Sequence, residues 1–526
     1  MPTRTVDYSL YLVTSRALLP PGQDYLESLE ASLQGGVTLV QVREKDAGTK
    51  EFLDIARKSK DLCARYGVPL IVNDRVDIAL AIEADGVHVG QEDMPIQIVR
   101  SILPPGSIIG VSCNNVEQAR QAVESGADYI GIGAIYPTAT KELTQPIVTV
   151  RGVGAILSQL DGSNVKAVAI GGINSTTVLR VLHGAVSTSC RALDGVAVVS
   201  DIVASDRPEE AAGRLMQVLR AFREGTSSRC GLALENRPPT DTRKTLLIDQ
   251  IASLLETVRS RKPLVHQITN VVAATQSANV TLAWGASPIM ATAPEEMPDL
   301  ANVCDSLLVN IGTLRQTEGM LIAGRRYNAT YKPVVFDPVG VGASQYRKGV
   351  MNDLLNAWAP TVIKGNAGEL AVLAGSDEAK SRGVDSFGAG FKDPASFVRS
   401  LARKERCVIA LTGPKDYVSD GDVVVELSNG HPLLGEITGS GCIGGSSIAA
   451  FCAAASTDPG PVPGRPVCGD MLLATVAAIT SLNVAGELAA ARADVAGPGS
   501  FLPALIDEIS LLRPDVLKSR LRLDFI

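Results

Sequence analysis

Three side chains in Gln41-Val42-Arg43-Glu44-Lys45 are of the types that grip a polyanion. If the apolar run up to Arg43 is a strand, alternation sets Gln41 and Arg43 on one face, with Lys45 just past the strand end. Two cations and an amide donor converging on one spot suit a diphosphate, although the same letters also make a solvated turn. Two later apolar runs close on Asn73-Asp74 and on His88-Val-Gly90-Gln91-Glu-Asp93. Asp74 and Asp93 beside those cations make sense if Mg2+ sits between the carboxylates and phosphate oxygens; singly, each is also a common turn former. His88 suits packing or orientation better than proton transfer. Further along, Ser112 ends a run, Thr138-Ala139-Thr140-Lys141 offers hydroxyls and a cation, and Gly171-Gly172 and Val199-Ser200 end two more. The last two can present backbone N–H groups to a phosphate monoester. Two anion sites at one mouth point to two phosphorylated substrates.

A second constellation lies after residue 260. Gly439-Ser440-Gly441-Cys442-Ile-Gly444-Gly445 opens an apolar helix, and successive N–H groups there form an anion hole for a transferring phosphoryl group. Cys442 falls in the first turn, where the helix dipole is expected to lower a thiol pKa and make it a base or an aligner for a hydroxyl; a small residue packed in a tight turn is the plainer alternative. Arg347, after Asp337-Pro-Val-Gly340, is a candidate for phosphate stabilisation. Asn366 and Glu369 share a helix face and suit hydrated Mg2+ on a nucleotide, or simply a helix cap. Thr412-Gly413 ends a further run. No Gly-Lys-Ser/Thr follows the Gly-rich loop, so it is not a Walker motif.

These residues need scaffolds that bring distant positions together. Residues 1–224 alternate short β-rich runs (Ser9–Val13, Thr38–Arg43, Leu70–Asn73, Gly86–Val89, Ile108–Ser112, Tyr129–Gly133, Val168–Ile170, Val196–Val199) with amphipathic ones such as Lys50–Tyr66. Eight such units close most simply into a (β/α)8 barrel, with an open doubly wound sheet as runner-up, and barrel chemistry belongs at the strands' C-terminal ends. Residues 225–243, with a Pro-Pro pair and no period, are expected to be a linker. Residues 244–526 carry buried-strand runs at Ser306–Asn310, Val334–Phe336, Val362–Lys364, Val408–Leu411 and Val423–Leu427, which predict a second α/β layer domain with its sheet covered on both faces.

The composition bounds the partners. The chain has 526 residues, 45% hydrophobic and 20% charged, with a net charge of −7, so it lacks the basic footprint of a nucleic-acid binder. Nine scattered cysteines without zinc spacing and without a secretory segment predict reduced thiols and a cytoplasmic protein acting on small molecules, away from membranes.

Gln-x-Arg-x-Lys, Asn-Asp, His-x-Gly-Gln-x-Asp, Thr-x-Thr-Lys, Gly-Gly-Ile and Val-Ser, in that order, resemble thiamine phosphate synthase over residues 1–224. That resemblance implies a TIM barrel coupling a hydroxymethylpyrimidine diphosphate to a thiazole phosphate. It implies that residues 41–45 (Gln41, Val42, Arg43, Glu44, Lys45) with Asn73, Ser112 and Lys141 hold the pyrimidine diphosphate, and that Asp74 and Asp93 hold Mg2+. Thr138, Ala139, Thr140, Gly171, Gly172, Val199 and Ser200 would hold the thiazole phosphate. Val-His-x-Ile-Thr-Asn, Ser-Pro-Ile-Met, Asp-Pro-Val-Gly, Lys-Gly-Asn-x-x-Glu and Gly-Ser-Gly-Cys in the second half resemble hydroxyethylthiazole kinase. Here the resemblance implies a ribokinase-like fold and phosphoryl transfer from ATP to the thiazole alcohol. Met290 and Gly439 would contact the thiazole, Arg347, Asn366, Glu369 and Thr412 the ATP, and Cys442 would hold the catalytic position. Kinases of this type build their sites between subunits, which implies homo-oligomers based on kinase-domain trimers. The rivals are a thiazole-tautomer aromatase-like barrel with a pyrimidine kinase, and a non-catalytic thiamine sensor.

Overall fold

In a computed structural model, residues 6–138, 140, 145–227, 240–376, 378, 380–382, 385–387, 390–456, 464 and 467–526 are described. The chain forms two compact units, Met1–Ser227 and Ser228–Ile526.

In the first unit, four- to six-residue runs of Val, Ile and Leu become strands because each is buried on both faces. They are β1 (Leu10–Val13), β2 (Leu39–Val42), β3 (Leu70–Asn73), β4 (Gly86–Val89), β5 (Ile108–Cys113), β6 (Tyr129–Ile132), β7 (Lys166–Ile170) and β8 (Gly195–Val198). All pair in parallel, each with the next and β8 with β1, so the barrel closes and the open-sheet alternative falls. Alternation splits each strand. Tyr11, Leu39, Ile71, Tyr129, Val168 and Ala197 fill the interior, whereas Leu10, Leu12, Val40, Val42 and Val72 pack outward against the helices. Each such fully buried aliphatic side chain contributes about 1.5–3 kcal/mol.

In the second unit the strands are β9 (Leu264–Ile268), β10 (Ser287–Ile289), β11 (Ser306–Asn310), β12 (Val334–Asp337), β13 (Val362–Asn366), β14 (Lys380–Arg382), β15 (Asp385–Phe387), β16 (Val408–Thr412), β17 (Asp416–Ser419), β18 (Val424–Leu427) and β19 (Leu523–Phe525). Nine of them form one mixed sheet in the order β10-β9-β11-β12-β13-β16-β17-β18-β19. It is parallel from β10 to β16 and antiparallel beyond. β14 and β15 pair antiparallel with each other, apart from that sheet. Helices Ser440–Ala455 and Met471–Ala490 are apolar all round because they are central to one helical layer. Met471–Ala490 is long and apolar enough to cross a membrane, yet 78% of its apolar window is buried inside the protein.

One expectation shifts at its edges. The expected linker 225–243 loses both ends to helix, since Pro208–Ser227 runs into it and Thr240–Arg261 begins within it; the residues between lie outside the described ones. After Asn270 the chain turns, with Asn270 Oδ1 accepting from the N–H groups of Val272 and Ala273, and a helix begins at Ala274.

Candidate active sites

At the C-terminal mouth of the barrel lies a cavity of about 210 Å3 lined by Gln41, Arg43, Lys45, Asn73, Asp74, Asp93 and Ser112 from strands β2 to β5 and their loops. Thr138, Thr140, Gly171, Gly172, Val199 and Ser200 line it from loops six to eight. Parallel strands end at one level, so residues as distant in sequence as Gln41 and Ser200 meet there. Val42 and Glu44 turn away, as alternation requires. Val42 is wholly buried against the helices, and Glu44 accepts from Arg16 at 3.0 Å, its carboxyl pushed up by burial against the pull of that guanidinium. Neither residue lines the cavity. Ala139 and Lys141 lie outside the described residues.

The charges meet as expected. Lys45 Nζ lies 3.6 Å from Asp74 Oδ2. Burial and the facing carboxylate of Asp93 raise the Asp74 pKa, with Lys45 pulling it down. Asp93 Oδ2 also accepts from Gly90 N–H at 2.7 Å. Two carboxylates held at hydrogen-bond reach repel unless a proton or a cation lies between them, so this pair suits a divalent ion whose remaining ligands come from a phosphate. Below the cavity floor runs a buried chain. Gln41 Nε2 donates to Tyr11 Oη at 2.6 Å, Tyr11 and Tyr129 hydroxyls are 2.7 Å apart, and His88 bridges Tyr129 Oη (2.9 Å) to Ser112 Oγ (3.0 Å). Tyr11, Thr14, Asn114 and Gln145 also line the cavity, unforeseen in the sequence. Only the period-2 position of Tyr11 in β1 could have flagged it.

In the second unit, strands β9, β11, β12 and β13 end at the start of helix Ser440–Ala455. Cys442 in its first turn is buried, and its Sγ accepts from Asn270 Nδ2 (3.1 Å) and Asn310 Nδ2 (3.4 Å). Asn310 also donates to Asp337 Oδ2 at 2.8 Å, and Asp337 Oδ1 pairs with Lys364 Nζ at 3.1 Å. Burial works against the Lys364 ammonium, but Asp337, Glu369 and Cys442 outweigh it and raise its pKa, while burial raises that of Asp337 against the pull of Lys364 and Asn310. Helix glycines make room for this layer. A Cβ on Gly441 would stand 3.1 Å from Lys364 Nζ, and one on Gly445 would stand 3.2 Å from Asp337 Oδ2.

The expected low thiol pKa at Cys442 does not survive. Burial raises it, and the nearby Asp337 carboxylate raises it further, while Lys364 and the two asparagines only offset part. At neutral pH the group is a thiol, and aligning a hydroxyl fits it better than acting as a base. Asn366 and Glu369 form a complete capping box, and Glu369 also accepts from Gly340 N–H at 3.1 Å. Glu369 is therefore buried rather than a surface acid, and burial pushes its pKa up to about 7. The Arg347 guanidinium donates to the carbonyls of Ile311 (2.6 Å), Gly312 (2.9 Å) and Val339 (3.2 Å), which ties two strand-end loops together. Thr412 ends β16 opposite Asn366. Gly439, with φ of 82°, caps the helix that carries Cys442. Met290 follows β10, next to Ala291, whose carbonyl bonds His266 Nε2 at 2.9 Å.

Two family profiles divide the chain as these sites do. Residues 10–202 match the one described as thiamine monophosphate synthase, and residues 255–515 match the hydroxyethylthiazole kinase family. A probable thiamine biosynthetic bifunctional enzyme of Schizosaccharomyces pombe is 39% identical over 98% of this chain and 97% of its own length. The chain belongs to the bifunctional thiamine-biosynthetic enzymes. The thiamine biosynthetic bifunctional enzyme of Saccharomyces cerevisiae is also 39% identical, over 96% of this chain and 95% of its own. A hydroxyethylthiazole kinase of Methanocella arvoryzae is 43% identical over 52% of this chain and 98% of its own length. This bifunctional enzyme therefore carries a thiamine phosphate synthase domain on the barrel and a hydroxyethylthiazole kinase domain on the mixed sheet.

Asn270, Asn310, Asp337 and Lys364 meet beside Cys442, and residue-by-residue reasoning passed over that grouping. Each belongs to a motif quoted above or to a strand end, but only the packing of helix Ser440–Ala455 onto the sheet makes them one layer.

Proposed function

We propose that the kinase half transfers the γ-phosphoryl group of ATP to the hydroxyl of 5-(2-hydroxyethyl)-4-methylthiazole. The barrel half then joins that thiazole phosphate to 4-amino-2-methyl-5-(diphosphooxymethyl)pyrimidine, giving thiamine phosphate and diphosphate. The observation that carries this is the cavity in which Arg43 and Lys45 face Asp74 and Asp93 across from the hydroxyls and glycines of loops six to eight.

In the barrel, Arg43, Lys45, Asn73 and Lys141 hold the diphosphate, while Gln41 and Ser112 meet the pyrimidine. Thr138, Thr140, Gly172 and Ser200 hold the thiazole phosphate. Asp74 and Asp93 would hold Mg2+, which when bound would supply positive charge to offset that of the diphosphate. The methylene C–O bond breaks, its electron pair leaves with the diphosphate, and Arg43 and Lys45 stabilise the charge that develops. The aminopyrimidine shares the positive charge left on carbon, and the thiazole nitrogen, already in line, forms the new C–N bond. In the kinase half, Met290 and Gly439 position the thiazole so that its hydroxyl meets Cys442. The backbone N–H groups from Gly439 to Cys442 face the transferring phosphoryl group, and Arg347, Asn366, Glu369 and Thr412 support the nucleotide. Phosphoryl transfer needs positioning and charge stabilisation more than covalent help, which suits a protonated thiol. The enzyme assembles through kinase-domain trimers and works in the cytoplasm, where the free cysteines of the described residues stay reduced.

The test is a product assay on the full chain. With ATP, Mg2+, the thiazole alcohol and the pyrimidine diphosphate, it forms thiamine phosphate. Omitting ATP stops this, and supplying thiazole phosphate restores it. Failure to release diphosphate from the pyrimidine substrate would leave the sensor reading standing.

A further inference from the structure

Helix Met471–Ala490 is central to an apolar layer, yet Asn483 and Glu487 stand one turn apart on one of its faces. A buried asparagine in such a helix is costly unless its amide is used. Here Asn483 Nδ2 donates to Asp416 Oδ2 at 2.7 Å and to the Asn429 carbonyl at 2.9 Å. A carbonyl can only accept, so the amide nitrogen and not its oxygen must face that side. Asp416 is buried too, and its Oδ1 accepts from Gly413 N–H at 2.9 Å. Burial pushes the Asp416 pKa up to about 6, against the pull of Gly413 N–H, Asn483 and Lys364. At neutral pH the Asn483 amide therefore meets a carboxylate.

The two partners of Asn483 belong to different loops. Gly413 and Asp416 close the turn between β16 and β17, next to Thr412 at the end of β16. Asn429 follows β18 and opens the loop that runs through Leu433–Glu436 to Gly439, the cap of the helix carrying Cys442. That second loop is pinned at further points. Glu487 Oε1 accepts from Gly430 N–H at 2.8 Å, and Asn429 Oδ1 accepts from Arg522 N–H at 2.7 Å. Leu434 packs over Gly486, where a Cβ would stand 3.0 Å from its Cδ1. The turn at Gly413 has no such reserve within this group: Asp416 ties it to the helix through Asn483.

We propose that Asn483 is a positioning residue for phosphoryl transfer, which fixes the distance between the Thr412–Gly413 turn on the nucleotide side and the loop that delivers Gly439 and the helix start on the alcohol side. This rests on the kinase assignment made above and adds to it a residue in the helical layer that lies in none of the motifs quoted for that half. Thr412 and Gly439 hold the donor and the alcohol, so their separation sets the alignment of the reacting atoms. A misplacement of about 1 Å in such a pair costs about a hundredfold in rate.

The test uses the full chain with Asn483→Leu, which keeps the side-chain volume and removes the amide. Initial rates of the kinase reaction are measured against ATP and against the thiazole alcohol, at a temperature where both proteins keep native tryptophan fluorescence. The KM for ATP should rise about tenfold and kcat should fall about tenfold or more. The KM for the thiazole alcohol should stay within threefold, because the second loop keeps its bonds to Glu487 and Arg522. A residue that served folding alone would lower the active fraction and leave the KM for ATP where it was; a value within twofold of the unaltered enzyme overturns the proposal. If Asn483→Leu does not fold, Asp416→Asn is read in the same way. Its oxygen can still accept from Gly413 N–H, but its amide nitrogen meets that of Asn483, donor against donor, and severs the same link. Failure of the unaltered chain to phosphorylate the alcohol with ATP would instead reject the kinase assignment itself.

Discussion

Lys364→Met tests whether the layer beneath the kinase helix is held by a buried ion pair. The two side chains are 4% and 0% exposed and 3.1 Å apart. At an effective dielectric of about 20, that separation is worth about 5 kcal/mol of attraction. Removing one partner of such a pair leaves the other charge buried and costs about 3–5 kcal/mol. Among the described residues, Asp337 would keep only the Asn310 amide at 2.8 Å as a side-chain hydrogen-bond partner. Both tryptophans of the chain, Trp284 and Trp358, are buried in the second unit, so their fluorescence follows that unit alone during urea unfolding. With a slope of about 3 kcal/mol/M, the midpoint should fall by about 1 to 1.7 M. The double variant Lys364→Met with Asp337→Asn removes the orphaned charge and should recover most of the loss. A single-variant loss under about 1 kcal/mol, or a double variant no more stable than the single, would refute the reasoning.

Three further outcomes follow from the same geometry. Asp93→Ala removes one carboxylate of the facing pair, and turnover of the synthase reaction should fall about a hundredfold, equivalent to about 3 kcal/mol, with no rescue at saturating Mg2+; an unchanged rate removes the metal role. Cys442→Ala deletes the acceptor of two buried asparagine amides, and kinase turnover should fall about tenfold or more with little change in thiazole affinity, while synthesis from supplied thiazole phosphate is unaffected. Burial raises the folded pKa of Glu369 to about 7 from its ordinary 4.5. Its contribution is thus fully present below about pH 4.5 and lost as pH rises through about 7, and Glu369→Gln should flatten the pH dependence of tryptophan-monitored stability across that window.

Much of the barrel was legible because parallel strands buried on both faces are written as short apolar runs. Leu70–Asn73 and Gly86–Val89 are strands over the expected bounds. The strands that escaped notice lack that signature. β10 carries Pro288 and sits at the sheet edge, where a missing N–H is tolerated. β17 and β19 belong to the antiparallel part, are short, and mix charged with apolar residues. The thiol of Cys442 was misjudged for a related reason. A helix start is visible in Gly-Ser-Gly-Cys, but desolvation and a carboxylate from β12 are not, and those two raise the pKa.

What the amino-acid order alone determined is the parts list: two α/β halves, a cationic strand end after β2, acidic residues after β3 and β4, and a glycine-rich helix start carrying a thiol. These are local facts, set by period and by residue type over a few positions. The folded chain alone decided which of them meet. Tyr11, Gln41, His88, Ser112 and Tyr129 stand on five strands, and Asn270, Asn310, Asp337, Lys364 and Cys442 come from five separate segments. Hydrogen bonding and desolvation act over about 3 Å of space whatever the separation in sequence, so polarity, protonation and pairing at both sites belong to tertiary structure.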